Sequence, residues 1–109
     1  MINITIYLND ESKCIGFRSE GHAEYEDQGQ DIVCAAVSVL VINTINSIET
    51  FTDDKFVINS KESGFLDYRI CGVPSPEASL LLNSMNLGLT GMEQDDNYSD
   101  YIDIIFEEV

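Results

Sequence analysis

The sequence predicts an α+β two-layer domain, in which two helices pack on a single, mostly antiparallel sheet in the order ββαββαβ. Three observations lead to this prediction: an alternating apolar stretch at the N-terminus, a long charge-free run in the middle, and a repeated strand–strand–helix pattern. The 109 residues match one ordinary domain, and hydrophobic residues make up 44% of them. We therefore expect residues 1–109 to form one domain with its own core.

The first two strands follow from the N-terminal pattern. Ile2, Ile4, Ile6 and Leu8 alternate with polar or aromatic residues, which is the period of a half-buried strand. Residues 9–12 are rich in turn formers, and the stretch from Cys14 to Glu20 then predicts the returning strand of a hairpin.

A long apolar helix is predicted from Ile32 to Ile48, with Val33, Val37, Val41 and Ile45 on one i+4 row. Its β-branched residues would also suit a strand, but a run of about 18 residues is too long for one. Apolar residues surround the whole helix, so it must be buried on more than one face, and a second copy of the chain could cover one of them. We expect the segment to be too short and too polar to cross a membrane well. Asp31 just before it predicts a helix N-cap.

The second half repeats the pattern. Residues 56–60 and 65–71 predict another hairpin, and Ser75 or Ser79 can cap a leucine-rich helix over residues 80–92. Tyr101 to Phe106 predicts the last strand.

The charge balance is strongly acidic. The net charge is −15 with five Lys and Arg, none of them between Arg18 and Lys55 or after Arg69. Nucleic acid is excluded as a direct partner, because phosphate contacts require basic groups. The field either attracts a basic partner or simply keeps the protein soluble.

The cysteines indicate a reducing compartment. Cys14, Cys34 and Cys71 are an odd number without C-x-x-C spacing, and no secretory signal is evident, so a cytoplasmic protein is expected. Cys14 and Cys71 are interpreted as packed core thiols. One histidine and scattered thiols provide too few ligands for a metal site, and no cofactor is implied.

His22 and Cys34 can carry chemistry together. An imidazole can generate a thiolate, and twelve residues reach about 40 Å when extended, so the chain can fold back to join them. With Asp31 as cap, Cys34 falls in the first helical turn, where free backbone amides favour a thiolate and could hold an oxyanion. The alternatives are a packed thiol and an unpaired loop histidine.

Two neighbouring residues could support such a pair. Asp31 can cap the helix, orient His22 or act as one more surface acid, and capping is the usual role at this position. Ser38 lies one turn beyond Cys34 and could donate a hydrogen bond near the sulfur or simply be tolerated between packed helices.

The motif Gly21-His22-Ala23, followed by residues 31–38 (DIVCAAVS), resembles the ribosomal-processing cysteine protease Prp family. The resemblance extends over nearly the whole chain. It implies a homodimer in which His22 is the general base and Cys34 the nucleophile. It also implies a substrate: a basic bacterial large-subunit ribosomal protein, number twenty-seven, whose N-terminal extension is removed.

The polar loop of residues 21–30 acquires a role from this resemblance. Gly21 and Gly29 bracket it, and Ala23 follows His22 directly. We expect this loop to contact the substrate and to close over it.

The sequence therefore predicts a cytoplasmic cysteine endopeptidase. Two alternatives remain at this point: a non-enzymatic acidic module that binds a basic ribosomal or assembly protein, and a redox-sensing thiol protein. Peptide cleavage separates both of them from a protease.

Overall fold

The computed structural model describes residues 1–21, 28–61 and 64–109. The elements follow the predicted ββαββαβ order. They are β1 (Ile2–Leu8), β2 (Cys14–Glu20), α1 (Gln28–Phe51), β3 (Phe56–Lys61), β4 (Phe65–Ile70), α2 (Pro76–Gln94), a 3-10 turn (Ser99–Tyr101) and β5 (Ile102–Glu108).

The five strands form one mixed sheet in the order β3-β4-β2-β1-β5. The pairs β1–β2, β2–β4 and β3–β4 are antiparallel, as predicted, whereas β5 runs parallel to β1 with Ile2 opposite Ile102. The parallel pairing follows from α2, which carries the chain from β4 across to the far edge. Such a crossover, unlike a hairpin, returns the chain in its original direction.

The core lies between the sheet and the two helices. The row of Val33, Val37, Val41 and Ile45 on α1 is buried, which confirms the predicted i+4 stripe. From α2, the buried side chains are Ala78, Leu82, Met85 and Leu89. From the sheet they are joined mainly by Ile2, Ile4, Ile6, Phe17, Tyr68, Ile70 and Ile102.

A polar cluster covers part of the opposite face of the sheet. Tyr7 faces away from the helices yet is fully buried, because the Arg69 guanidinium lies 4.1 Å from its ring centroid. Gly16 stands between Tyr7 and Arg69 in the ladder and leaves the space that allows this contact. The Tyr7 hydroxyl donates to Asp67 at 2.7 Å, and Arg18 also bonds Asp67.

The ends of several elements differ from the prediction. α2 begins at the Ser75 cap, whose hydroxyl accepts from the Ala78 amide, with Pro76 in the first turn. β5 begins at Ile102, because Tyr101 belongs to the 3-10 turn. Phe106, expected on the packed face, is 57% exposed near the end of this edge strand.

The predictions for α1 need two corrections. The helix begins at Gln28, so Asp31 lies within its first turn and is not the N-cap. The helix has 24 residues, and its segment Asp31–Phe51 is long and apolar enough to span a membrane by length and composition, contrary to the expectation. In this structure its buried stripe packs on the sheet instead.

Candidate active site

Cys34 lies in the wall of an apolar cleft of about 280 Å³. It is the seventh residue of α1, is partly buried, and packs beside the core. The cleft opens between α1 and the strand ends nearest the helix start. Its lining consists of Ile2, Ser19, Gly21, Cys34, Val37, Ser38, Val41, Ile42, Gly64, Phe65 and Leu66.

Gly21 shapes the end of the cleft from which the chain enters the His22 segment. Its φ of 109° is a conformation that L side chains rarely adopt, and a Cβ there would lie 2.4 Å from the carbonyl oxygen of Met1. Both constraints require glycine. Gly21 also lies in the lining of the cleft, and its contact with a substrate stays a prediction.

The observed start of α1 changes the position of Cys34 within the helix. The free amides and the dipole effect are confined to the first turn of a helix, whereas Cys34 lies in the second. Cys34 therefore does not occupy the predicted first-turn position, and its own amide is not among the free amides at the helix start. Asp31 is exposed in the first turn.

Ser38 contacts Cys34 through the backbone. Its hydroxyl donates to the carbonyl oxygen of Cys34 at 2.8 Å, and the side chain also borders the cleft. Back-bonding of this kind is common for serine inside a helix. Ser38 thus bonds to the Cys34 carbonyl rather than to its sulfur.

His22 and Ala23 lie outside the described residues, so the distance from the imidazole to Cys34 stays a prediction. Gly29 belongs to α1, whereas the sequence placed it in a loop. The predicted polar loop therefore ends earlier than residue 30.

The other two cysteines differ from Cys34 and from each other. Cys14 is buried, as predicted; burial raises the pKa of its thiol, which donates to the carbonyl of Gly16 at 3.4 Å. Cys71 is exposed, contrary to the prediction, because β4 ends at Ile70 and the next residue leaves the core. Of the three thiols, Cys34 is the one in the apolar cleft.

The sequence did not predict which apolar residues line the cleft together with Cys34. Phe65 and Leu66 come from β4, and Ile42 lies two turns beyond Cys34 on α1. These residues could not be assigned to the cleft beforehand, since sequence periodicity does not say which strand end faces which helix. Among the residues that the structure describes, no group of three or more His, Cys, Asp or Glu side chains is placed to hold a metal ion.

Comparison with known proteins identifies the family. The family model for cysteine protease Prp matches residues 1–103. The chain belongs to the cysteine protease Prp family. It is 33% identical over 98 residues to the ribosomal processing cysteine protease Prp of Staphylococcus aureus strain Mu50, covering 89% of this chain and 92% of that protein.

Solved structures of Prp from S. aureus share the fold. The complex with a substrate peptide has a TM-score of 0.89 at 30% identity, covering 98% of this chain and all of that one. The complex with a covalently linked product peptide has a TM-score of 0.86 with the same identity and coverage. This chain is accordingly a cysteine protease, and family membership removes the non-enzymatic and redox-sensing alternatives.

Proposed function

We propose that this Prp-family protease removes the N-terminal extension of bacterial large-subunit ribosomal protein number twenty-seven, with Cys34 as nucleophile and His22 as general base. The observation that carries the proposal is the position of the Cys34 thiol in an open apolar cleft of a cysteine protease. His22 is the only histidine in the sequence, so it is the only imidazole available to the thiol.

The chemistry requires only these two side chains and water. His22 accepts the thiol proton while the Cys34 sulfur bonds to the scissile carbonyl carbon. The carbon–nitrogen bond then breaks, the imidazolium protonates the leaving amine, and a thioester remains. His22 then takes a proton from water while the water oxygen attacks the thioester carbon. The carbon–sulfur bond breaks, the carboxylate is released, and the imidazolium returns the proton to sulfur. No metal ion or cofactor takes part.

The cleft and the charge support this substrate. Ile42, Phe65 and Leu66 offer an apolar surface to a hydrophobic side chain next to the cut. The net charge of −15 favours the approach of a basic ribosomal protein and speeds their encounter at low salt. In S. aureus Prp, the solved complexes hold a substrate peptide and a covalently linked product peptide.

Cleavage of the extended ribosomal protein by the purified chain tests the proposal. Cys34→Ala is expected to lower kcat by about 10⁴-fold or more, because the nucleophile acts in the bond-breaking step. Cys71→Ala is the matched control, since this thiol is exposed and does not border the cleft, and it should cut at the parental rate. Cutting by Cys34→Ala at the parental rate would refute the assignment.

A homodimer in the cytoplasm completes the proposal. Val39 is 68% exposed on α1, and Leu87 is 75% exposed on α2. Exposed apolar side chains on adjacent helices favour association. Sedimentation equilibrium should give twice the mass of one chain, and Leu87→Asp should shift it toward the monomer. Fractionation of cells should place the protein with the cytoplasmic markers.

A further inference from the structure

Within residues 1–21, 28–61 and 64–109 no strand pairs with the outer edge of β3, so this open edge directs backbone groups outward. The Cys71 amide donates to the carbonyl of Lys55 at 2.8 Å, and this pair directly precedes Phe56–Ile70 in the β3–β4 register. Hydrogen-bonded and non-hydrogen-bonded pairs alternate along an antiparallel ladder. Phe56, Ile58 and Ser60 therefore point their N–H and C=O groups away from β4, toward the free edge of the sheet.

The side chains of β3 leave this edge unprotected. Lys61 ends β3 and Lys55 precedes it, but no charged residue lies between them, and Val57 and Ile58 are 63% and 46% exposed. Proteins normally guard such edges with charges, prolines or bulges, because an open apolar edge pairs with other strands. The other edge, β5, is guarded in this way by Asp103, Glu107 and Glu108. The two edges of the sheet thus differ, because β5 carries several charged side chains and the middle of β3 carries none.

The open edge starts one strand away from the cleft. Ser60 pairs with Leu66 and Lys61 with Phe65, and both β4 residues line the Cys34 cleft. From there β3 runs away from the cleft for its six residues, a distance of about 20 Å at the usual rise per residue. An extended chain leaving the cleft along β3 would meet one unpaired backbone group after another.

We propose that the edge of β3 binds the substrate as an added strand. This inference rests on the proposed function. The occupant is the extended peptide segment on one side of the scissile bond, paired through its backbone with Phe56, Ile58 and Ser60. Its alternate side chains lie on the helix-facing side of the sheet, beside Ile58. The added strand gives affinity with little demand on side-chain identity, while the cleft beside Cys34 selects the residue at the cut.

Charge at the far end of β3 suits a basic residue of this segment. Glu49, Asp53 and Asp54 surround the start of the strand with Lys55 as the cation among them. A lysine or arginine about five residues from the cut would therefore be favoured there over an acid.

Binding to an inactive background tests the proposal without relying on turnover. In Cys34→Ala, Ile58→Pro removes one edge N–H and leaves the β4 ladder intact, whereas Ile58→Ala removes the side chain and keeps the N–H. Calorimetry with the ribosomal peptide carrying about six residues on each side of the cut should show about tenfold weaker binding for Ile58→Pro than for Ile58→Ala. A peptide with two residues on each side should bind both variants equally.

The possible outcomes distinguish failure of the added-strand proposal from failure of the proposed function. Equal binding of the long peptide to both variants, or an equal loss with the short one, overturns the added strand. Conversion of a dimer to a monomer by Ile58→Pro alone also overturns it, since the edge then belongs to a second copy. Failure of the parent to cut the peptide refutes the proposed function but leaves the binding comparison decisive. Should Ile58→Pro not fold, N-methylation of successive peptide amides must weaken binding with a period of two residues.

Discussion

Replacing Gly21 by alanine should damage both stability and cleavage, for reasons that can be separated. The new Cβ would lie 2.4 Å from the Met1 carbonyl oxygen and 3.4 Å from the Ile2 Cα. Ile2 is 2% exposed and pairs with Ile102, so the chain beside Met1 is anchored in the core. The contact can be relieved only by moving the backbone of residue 21 or of residue 1 by about 1 Å.

The magnitude follows from two costs. A φ of 109° costs a non-glycine residue about 1–3 kcal/mol, and crowding in a packed region adds about 1–3 kcal/mol. We expect a loss of about 3 kcal/mol in the free energy of unfolding, which lowers Tm by about 10 °C or more for a domain of this size. Because Gly21 borders the cleft and precedes His22, a shift of this size should also cost about 10²-fold in kcat/KM.

Gly72→Ala is the matched control for the Gly21 prediction. Gly72 has a φ of 77°, but a Cβ there would meet nothing within 4 Å, and the residue does not line the cleft. It should lose about 1–2 kcal/mol from the backbone alone and cut the peptide at the parental rate. Guanidinium unfolding and peptide cleavage are measured on both variants. If Gly21→Ala matches Gly72→Ala in stability and the parent in kcat/KM, the assigned constraint at residue 21 is wrong.

Two further predictions concern the scaffold. Gly16→Ala places a Cβ 2.0 Å from the Tyr68 carbonyl oxygen and should lower the free energy of unfolding by about 3 kcal/mol or more. Gly91→Ala, in open space on α2, should raise the free energy of unfolding by about 0.5–1 kcal/mol. Equal stability of the two variants in urea unfolding would contradict this prediction. Burial raises the pKa of Asp54, but hydrogen bonds from the Ser75 hydroxyl and amide outweigh it and hold that pKa below its usual value. The contribution of Asp54 to stability is therefore present above the unfolded-state pKa and is lost as the pH falls through the lower folded-state pKa. Asp54→Asn should flatten the pH dependence of Tm in this acidic range. An unchanged profile would count against a stabilising role of the Asp54 carboxylate.

Much of the scaffold could be predicted because local periodicity encodes it. The alternation in β1 follows from one face meeting the core, and the stripe of Val33, Val37, Val41 and Ile45 follows from 3.6 residues per turn. The Ser75 cap followed by Pro76 marks the start of α2 for a local stereochemical reason. Cys34 and His22 were predicted as the reacting pair from residue type and motif alone.

Other features could not be predicted from the local sequence pattern. Asp31 suits a cap and a first turn equally well, so its identity did not reveal that α1 begins three residues earlier. The burial of Tyr7 depends on Arg69 lying over it across Gly16, a contact between strands that are far apart in sequence. The exposure of Cys71 depends on where β4 ends.

The sequence by itself determined the order of strands and helices and named Cys34 and His22 as the candidate pair, because hydrophobic period and residue chemistry are local properties. Tertiary structure decided which strand ends meet α1, and so which side chains wall the Cys34 cleft. It also decided that β3 is an open edge and that β5 lies beside β1. Strand order and helix placement depend on the burial of the whole apolar surface at once, which no local segment specifies.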